Sequence, residues 1–297
     1  MSSIASTGLF PKELIPEIFS KVSGKSSIAR LSAQTPIAFS GNEIMTFSLD
    51  SDVSIVAEGG NKPAGDGTMG SVTITPVKVV YNARVNDEFI RCAEEKQIEY
   101  LRAFTDGFAK KIARGVDIMA FHGLNPASKA TSSIIGTNCF DRLSGVDKVV
   151  STAAEADITA AIAGLGAGYT CTGIAMSPTF STALSQTTYA GGQKPYEDFM
   201  WGGNPGAVRG IPADVNETVG VSASTAVYDY AVLGDFQNAF KWGFSEIIPL
   251  EVIEYGNPDG GAADLKQANQ VLLRTEAYVG WGIIDPDAFA VIVNAEE

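Results

Sequence analysis

The stretch from Asp87 to Phe121 constrains this chain more than any other. Leu101, Phe104, Phe108, Ile112, Val116 and Met119 recur at steps of three and four, the spacing of one helical face. Asp87 can cap the N-terminus, and with Glu88 it complements the helix dipole there, while Lys110, Lys111 and Arg114 sit toward the other end. Asp106 stands four residues from both Arg102 and Lys110, so opposite charges meet along one face. A helix of about 35 residues spans roughly 50 Å, about three times the usual length. Gly107 and Gly115 mark close packing or a bend. A helix of this length is the backbone of an elongated or assembled protein.

The β segments extend the same theme. Val271, Leu273, Thr275, Ala277, Val279, Trp281 and Ile283 alternate with Leu272, Arg274, Glu276, Tyr278 and Gly280, the period of a strand roughly 45 Å long. Asp285-Pro286 ends it, and Ala288–Val293 reads as a final short strand. Residues 42–85 read as one long hairpin. Met45, Phe47 and Leu49 alternate on the first side and Val77, Val79 and Tyr81 on the return, with a glycine-rich tip from Glu58 to Gly67. The tip is long for a turn and has no apolar cluster to fold around, so it is expected to be mobile or held by a partner. Residues 1–40 read as an extended arm broken by Pro11, Pro16 and Pro36, with a short helix carrying Leu14, Ile18 and Val22. Packing on its own domain and reaching a neighbouring subunit both remain open for that arm. Between these elements, Ile158, Ile162 and Leu165 mark a helix, Ile174–Met176 a strand, Ser177-Pro178 a helix start, 190–210 a glycine-rich loop and 226–233 a strand.

Composition removes several functions. The 297 residues are 45% hydrophobic and 19% charged, too apolar for disorder and long enough to bury a real core. A net charge of −13 with no basic run argues against sequence-reading of nucleic acid and against an anionic membrane surface. No stretch has the apolar length of a membrane span, and Met1–Phe10 shows no secretory signal. Cys92, Cys139 and Cys171 are odd in number and widely spaced, so they read as free thiols.

Catalytic signatures fail in turn. There is one histidine, His122, and every zinc or Ser-His-Asp proposal must use it; no C-x-x-C or C-x-x-H spacing accompanies it. At the end of the long helix, its expected role is a contact at that terminus. Gly24-Lys25-Ser26 resembles the end of a P-loop, but Phe19 stands where the motif needs glycine. Asp50 and Asp52 lack the glycine and distal glutamate of an EF-hand loop, and Glu94-Glu95 reads as a solvated face. Trp201, Trp242 and Trp281 read as core or interface. No catalytic, cofactor-binding or metal residue is assigned. The residues describe an α+β assembly subunit, with extended elements that need neighbours to bury them.

In this order the elements resemble the major capsid proteins of tailed bacteriophages, the Hong Kong 97-like family. Four stretches carry the likeness: Phe10-Pro11-Lys12-Glu13 running to Ile28-Ala29-Arg30-Leu31; Val56-Ala57-Glu58-Gly59 with Lys62-Pro63 and the strand to Val85; Asn86-Asp87-Glu88-Phe89 and the helix ending Phe121-His122-Gly123; and Gly234-Asp235-Phe236 with Arg274-Thr275-Glu276-Ala277-Tyr278 and Asp285-Pro286-Asp287. Gly210-Ile211-Pro212 is also similar to the family. The resemblance implies a Hong Kong 97-like capsid fold with an N-terminal arm (1–41), an E-loop across a neighbour (42–84) and a peripheral domain with its spine helix (85–152). An axial domain (153–265), a return strand of the peripheral domain (266–284) and a C-terminal axial strand (285–297) complete it.

It implies hexamers and pentamers that close an icosahedral phage head around double-stranded DNA. The partners would be the chain itself, a separate scaffolding protein, a portal and a decoration protein, with assembly in the bacterial host cytoplasm, location in the virion and no membrane. Some relatives carry a cleaved scaffolding region; here the arm follows Met1 directly, so a separate scaffold or a mature-length product is expected. Some relatives crosslink subunits through lysine, for which Lys62 and Lys78 are the candidate donors. The alternative within the fold is an encapsulin-type nanocompartment holding an enzyme cargo, against which the E-loop length argues. The acidity then implies a shell lumen built to repel DNA rather than bind it.

Overall fold

The computed structural model describes residues 25–49, 52–65, 67–88, 94–223, 227–261 and 263–294. Most of the expected arm (1–24), Asp50, Cys92, residues 89–93 of the stretch expected to be the long helix, and the last three residues lie outside the described residues. So do the side chains of Glu94 and Glu95.

A mixed six-stranded sheet forms one centre. Its strands are β4 (Asp147–Val150), β5 (Gly173–Met176), β6 (Ala207–Val208), β7 (Ile211–Val215), β8 (Asp229–Gly234) and β11 (Phe289–Val293), in the order β4-β11-β8-β5-β7-β6. β11 is buried at every residue. Phe289, Val291 and Val293 face one core, Ala290 and Ile292 the other. A strand covered on both faces reads as a continuous apolar run, which is why Phe-Ala-Val-Ile-Val shows no polar alternation. On the second face lie α3 (Ala154–Gly164) and α4 (Pro178–Ser185), burying Ile158, Ala161, Phe180 and Leu184. α4 starts as its sequence predicts: Ser177 accepts from the Phe180 N–H, with Pro178 in the first turn.

The first face meets the long helix α2 (Glu94–His122). Phe108, Ile112, Val116 and Met119 enter a core with Phe140, Phe236, Phe240, Phe289, Trp242 and Trp281. That core continues onto a three-stranded antiparallel sheet of β3 (Val77–Asn86), β10 (Gln270–Ile283) and β9 (Phe240–Ile253), with β10 central. The buried indoles are satisfied: Trp242 donates to the Ser32 carbonyl (3.1 Å) and Trp281 to that of Asn138 (2.9 Å). Two sequence expectations change here. The expected single hairpin over 42–85 divides at Thr75-Pro76: β1 (Asn42–Leu49) pairs with β2 (Gly67–Ile74), whereas β3 pairs with β10. Gly67-Thr-Met-Gly-Ser-Val-Thr-Ile carries two glycines and little alternation, so its strand character is weak until β1 supplies the partner. The second change is β9. It lies within the stretch expected to form the axial domain, yet it joins the long sheet instead.

Among the described residues, no helix is long and apolar enough to cross a membrane.

Candidate assembly interface

The β1–β2 ribbon leaves the body with little to cover it. Phe47 pairs directly opposite Met69, and Met45 opposite Ser71. Directly opposed residues share a face and Met45 is two from Phe47, so the three apolar side chains form one row. Their exposures are 69% for Met45, 64% for Phe47 and 65% for Met69. Beyond them every described residue of 52–65 is exposed, including Val53 and Ile55. Fully burying one such side chain is worth about 1.5–3 kcal/mol, so a partner over this row gains several times that. At its base the ribbon is seated firmly. Ile74 is buried and lies over Gly280 and Gly282; a Cβ at Gly282 would stand 2.8 Å from the Ile74 Cγ1. Glycine at these β10 positions therefore permits the close approach of β2.

The described part of the arm, Lys25–Gly41, packs on its own subunit. Ile28, Leu31 and Ile37 are buried. The short helix α1 (Ser27–Leu31) is capped by Ser26, which accepts from the Ala29 N–H. Two carboxylates from elsewhere hold it. Asp117 of α2 is fully buried and accepts from the Ser26 hydroxyl (2.5 Å), the Ser27 N–H (3.0 Å), the Ile28 N–H (3.3 Å) and the Thr218 hydroxyl (3.0 Å). Burial pushes its carboxyl up to about 6, and these hydrogen bonds offset only part of that. Asp214 of β7 accepts from the Ser27 hydroxyl (2.6 Å), the Arg30 guanidinium (2.6 Å) and the Asn204 amide (2.9 Å). The N-terminus of α1 thus faces a carboxylate. The space a phosphate would need beside Lys25-Ser26 is occupied by negative charge, which disposes of the P-loop likeness.

His122 ends α2 as expected, but its contacts are tertiary. Nε2 donates to the Thr218 carbonyl (2.9 Å), since a carbonyl only accepts; Nδ1 lies 2.9 Å from Asp141 Oδ2 and 3.5 Å from Asp229 Oδ2. Burial works against ionisation of Asp141, but the hydrogen bond and charge of His122 overcome it and hold that carboxyl below the usual carboxylate range. Among the described residues these three could together ligate a cation, their ligand atoms lying within 4.8 Å of one another. As they stand, they join the helix end, the 139–143 loop and β8.

The remaining candidates scatter. Cys139 is buried in the first core and Cys171 packs against the second, so the thiols do not converge. Asp52 and Lys62 are exposed in the ribbon's tip. Lys78 is on β3, ion-paired to Glu276 of β10 at 2.7 Å. Trp242 and Trp281 are core residues, while Trp201 is 98% exposed. Sequence reasoning passed over β9, for which the alternation of Phe240, Trp242 and Phe244 was the available signal. It also passed over Asp117 and Asp214, lone acids whose role depends on chain 90 to 187 residues away.

A model described as the phage capsid family matches residues 7–294. No curated protein matches the sequence. Among solved structures, one titled Mycobacterium phage Ogopogo is 28% identical, covers 91% of this chain and 92% of its own, and superposes with a TM-score of 0.74. One titled Gordonia phage Cozz is 26% identical over 92% of this chain and 87% of its own, with a TM-score of 0.75. One titled as the capsid of an empty GTA particle shares the fold over 100% of this chain and 95% of its own at 16% identity and a TM-score of 0.62.

Proposed function

Since this chain belongs to the phage capsid family, as a structural major capsid protein of Hong Kong 97-like fold, we propose that its copies join into hexamers and pentamers that close an icosahedral head around double-stranded DNA. The observation that carries this reading is the β1–β2 ribbon. A two-stranded ribbon has marginal stability by itself, and this one displays Met45, Phe47 and Met69 on one face and a tip whose described residues are all exposed. Its apolar row fits burial on a neighbour, repeated at each interface so that modest gains multiply.

In this reading, residues 1–41 are the arm, 42–84 the E-loop, and 85–152 with 266–284 the peripheral domain. Residues 153–265 with 285–297 are the axial domain, with β9 reaching across to the peripheral sheet. A separate scaffolding protein, a portal and a decoration protein complete the partners, and assembly takes place in the host cytoplasm. The lumenal side carries more acidic than basic residues and lets DNA slide rather than bind. An encapsulin-type shell is not favoured by these comparisons.

Electron microscopy of the expressed chain tests the reading. Wild type is expected to give closed shells, and a deletion of 58–68 to leave folded subunits that do not close. Normal shells from the deletion variant would overturn the role given to the ribbon.

A further inference from the structure

His122 closes α2 with its side chain 1% exposed, and Asp229 opens β8 with its side chain at 7%. The Nε2–H of the ring donates to the Thr218 carbonyl (2.9 Å). That bond fixes the imidazole and leaves Nδ1 facing two carboxylates. Asp141 Oδ2 lies 2.9 Å away and Asp229 Oδ2 3.5 Å away. The other oxygen of Asp141, Oδ1, is buried with no hydrogen-bond partner among the described residues. A buried carboxylate oxygen in that state is costly, and it calls for an explanation.

Two arrangements place positive charge among these atoms. A proton on Nδ1 reaches Asp141, but at 3.5 Å it is too far from Asp229 to serve both carboxylates. It also leaves Asp141 Oδ1 unanswered. A metal ion answers every group at once. Ligands set between a right angle and the tetrahedral angle, on bonds of about 2.1 Å, stand roughly 3.0–3.4 Å apart. The observed 2.9 and 3.5 Å bracket that spacing, and all three ligand atoms lie within 4.8 Å of one another. A ligating histidine ordinarily donates its other N–H to a carbonyl or carboxylate, as Nε2 does here. Asp141 Oδ1 is then the second oxygen of a bidentate ligand. A neutral imidazole with two carboxylates is doubly negative, which a divalent ion cancels.

The three side chains come from separate elements that are already held in place. Gly123 turns the chain after His122 at φ 63°. The Phe140 and Asp141 N–H groups donate to the Ala120 and Phe121 carbonyls, both at 3.1 Å, which ties the 139–143 loop to the helix end. Asp229 is set opposite Val293 of β11. The Asp141 side chain is 26% exposed, so an ion and its remaining water ligands reach the cluster from that side. We propose that His122 Nδ1, Asp141 and Asp229 bind one zinc ion, which clamps the end of α2, the 139–143 loop and β8 together. One imidazole beside two carboxylates suits zinc, whereas calcium takes about six to eight oxygen ligands. The proposal does not depend on the shell-subunit reading.

The test uses the full chain without an affinity tag, stripped with a chelator and titrated with zinc chloride. Equilibrium dialysis is expected to give one zinc per chain at micromolar free metal, with a melting temperature raised by several degrees. Calcium chloride at the same concentration is expected to leave the melting temperature unchanged. His122 is the only histidine in the chain, so nitrogen NMR reads its ring directly: zinc should shift Nδ1 and leave Nε2 protonated. Asp229→Asn and Asp141→Asn keep the side-chain size. Each is expected to weaken zinc binding at least about tenfold, the loss already usual for an outer-shell partner, and to abolish the melting gain whatever its own stability without metal. No retained zinc, bound zinc that leaves the His122 resonances in place, or unchanged affinity in both variants would overturn the proposal. Stabilisation by calcium equal to that by zinc would overturn the choice of metal.

Discussion

Replacing Asp117 by alanine should release α1 from the body of the protein. The carboxylate accepts from two buried backbone donors, Ser27 N–H and Ile28 N–H, and from the hydroxyls of Ser26 and Thr218. The hydroxyls can rotate toward other acceptors, but the two backbone donors cannot. Each orphaned buried donor costs roughly 1–3 kcal/mol, so α1 loses about 2–6 kcal/mol of docking. That is a large share of a total stability of about 5–15 kcal/mol. The chain can limit the loss by lifting residues 25–37 into water, so proteolysis registers it before global unfolding does. Trypsin cleavage at Arg30 is expected to speed up at least tenfold, with a lower urea midpoint.

The pH dependence adds a second readout. Asp117 rises from 3.8 to about 6 on folding. A folded value above the unfolded one means stability fully present below 3.8 and lost as pH rises through about 6. The gap corresponds to about 3 kcal/mol. Asp117→Asn does not titrate there, so wild type should gain about 2 kcal/mol relative to it between pH 7 and pH 4, the remainder arriving below pH 3.8. A protease-resistant Asp117→Ala within 0.5 kcal/mol of wild type, or a pH-independent difference from Asp117→Asn, would refute the reasoning.

Two other substitutions probe the joints between elements. A Cβ at Gly243 of β9 collides with the carbonyl oxygen of Thr35, whose N–H donates to Trp242 at 2.9 Å; Gly243→Ala should cost about 1–3 kcal/mol by overpacking, read as a lower melting temperature. His122→Phe keeps a ring but removes the partner of the Thr218 carbonyl and of Asp141, and should cost about 3 kcal/mol at pH 7. Asp141 is held below its ordinary value, so its contribution is present above about pH 3.8 and lost in acid. The His122→Phe deficit, measured by urea unfolding, should therefore shrink as pH falls toward 3.

Periodic elements were legible without coordinates because their information is local. The face of α2 from Phe104 to Met119, the alternation of β10, the Ser177-Pro178 helix start and the apolar run of β11 each carry their own pattern. The order of these elements was enough to suggest the family. Pairing was not legible. β2 is a strand because β1 lies beside it, and β3 leaves the hairpin because β10 offers a longer partner with a buried face.

The candidate interface divides the same way. The glycine-rich tip announced an exposed segment, but Trp201 gave no sign of being the exposed tryptophan among three. Its exposure follows from a left-handed turn fixed by Phe199 on one side and Asn204 on the other. Length, helical and strand periods and acidity are properties of neighbouring residues and sums, so the sequence by itself determined them. The anchoring of α1 by Asp117 and Asp214, the His122 cluster and the glycine-lined seat of Ile74 join residues far apart in the chain. Only the tertiary structure decided those, because burial and hydrogen bonding are settled by what the completed fold brings together.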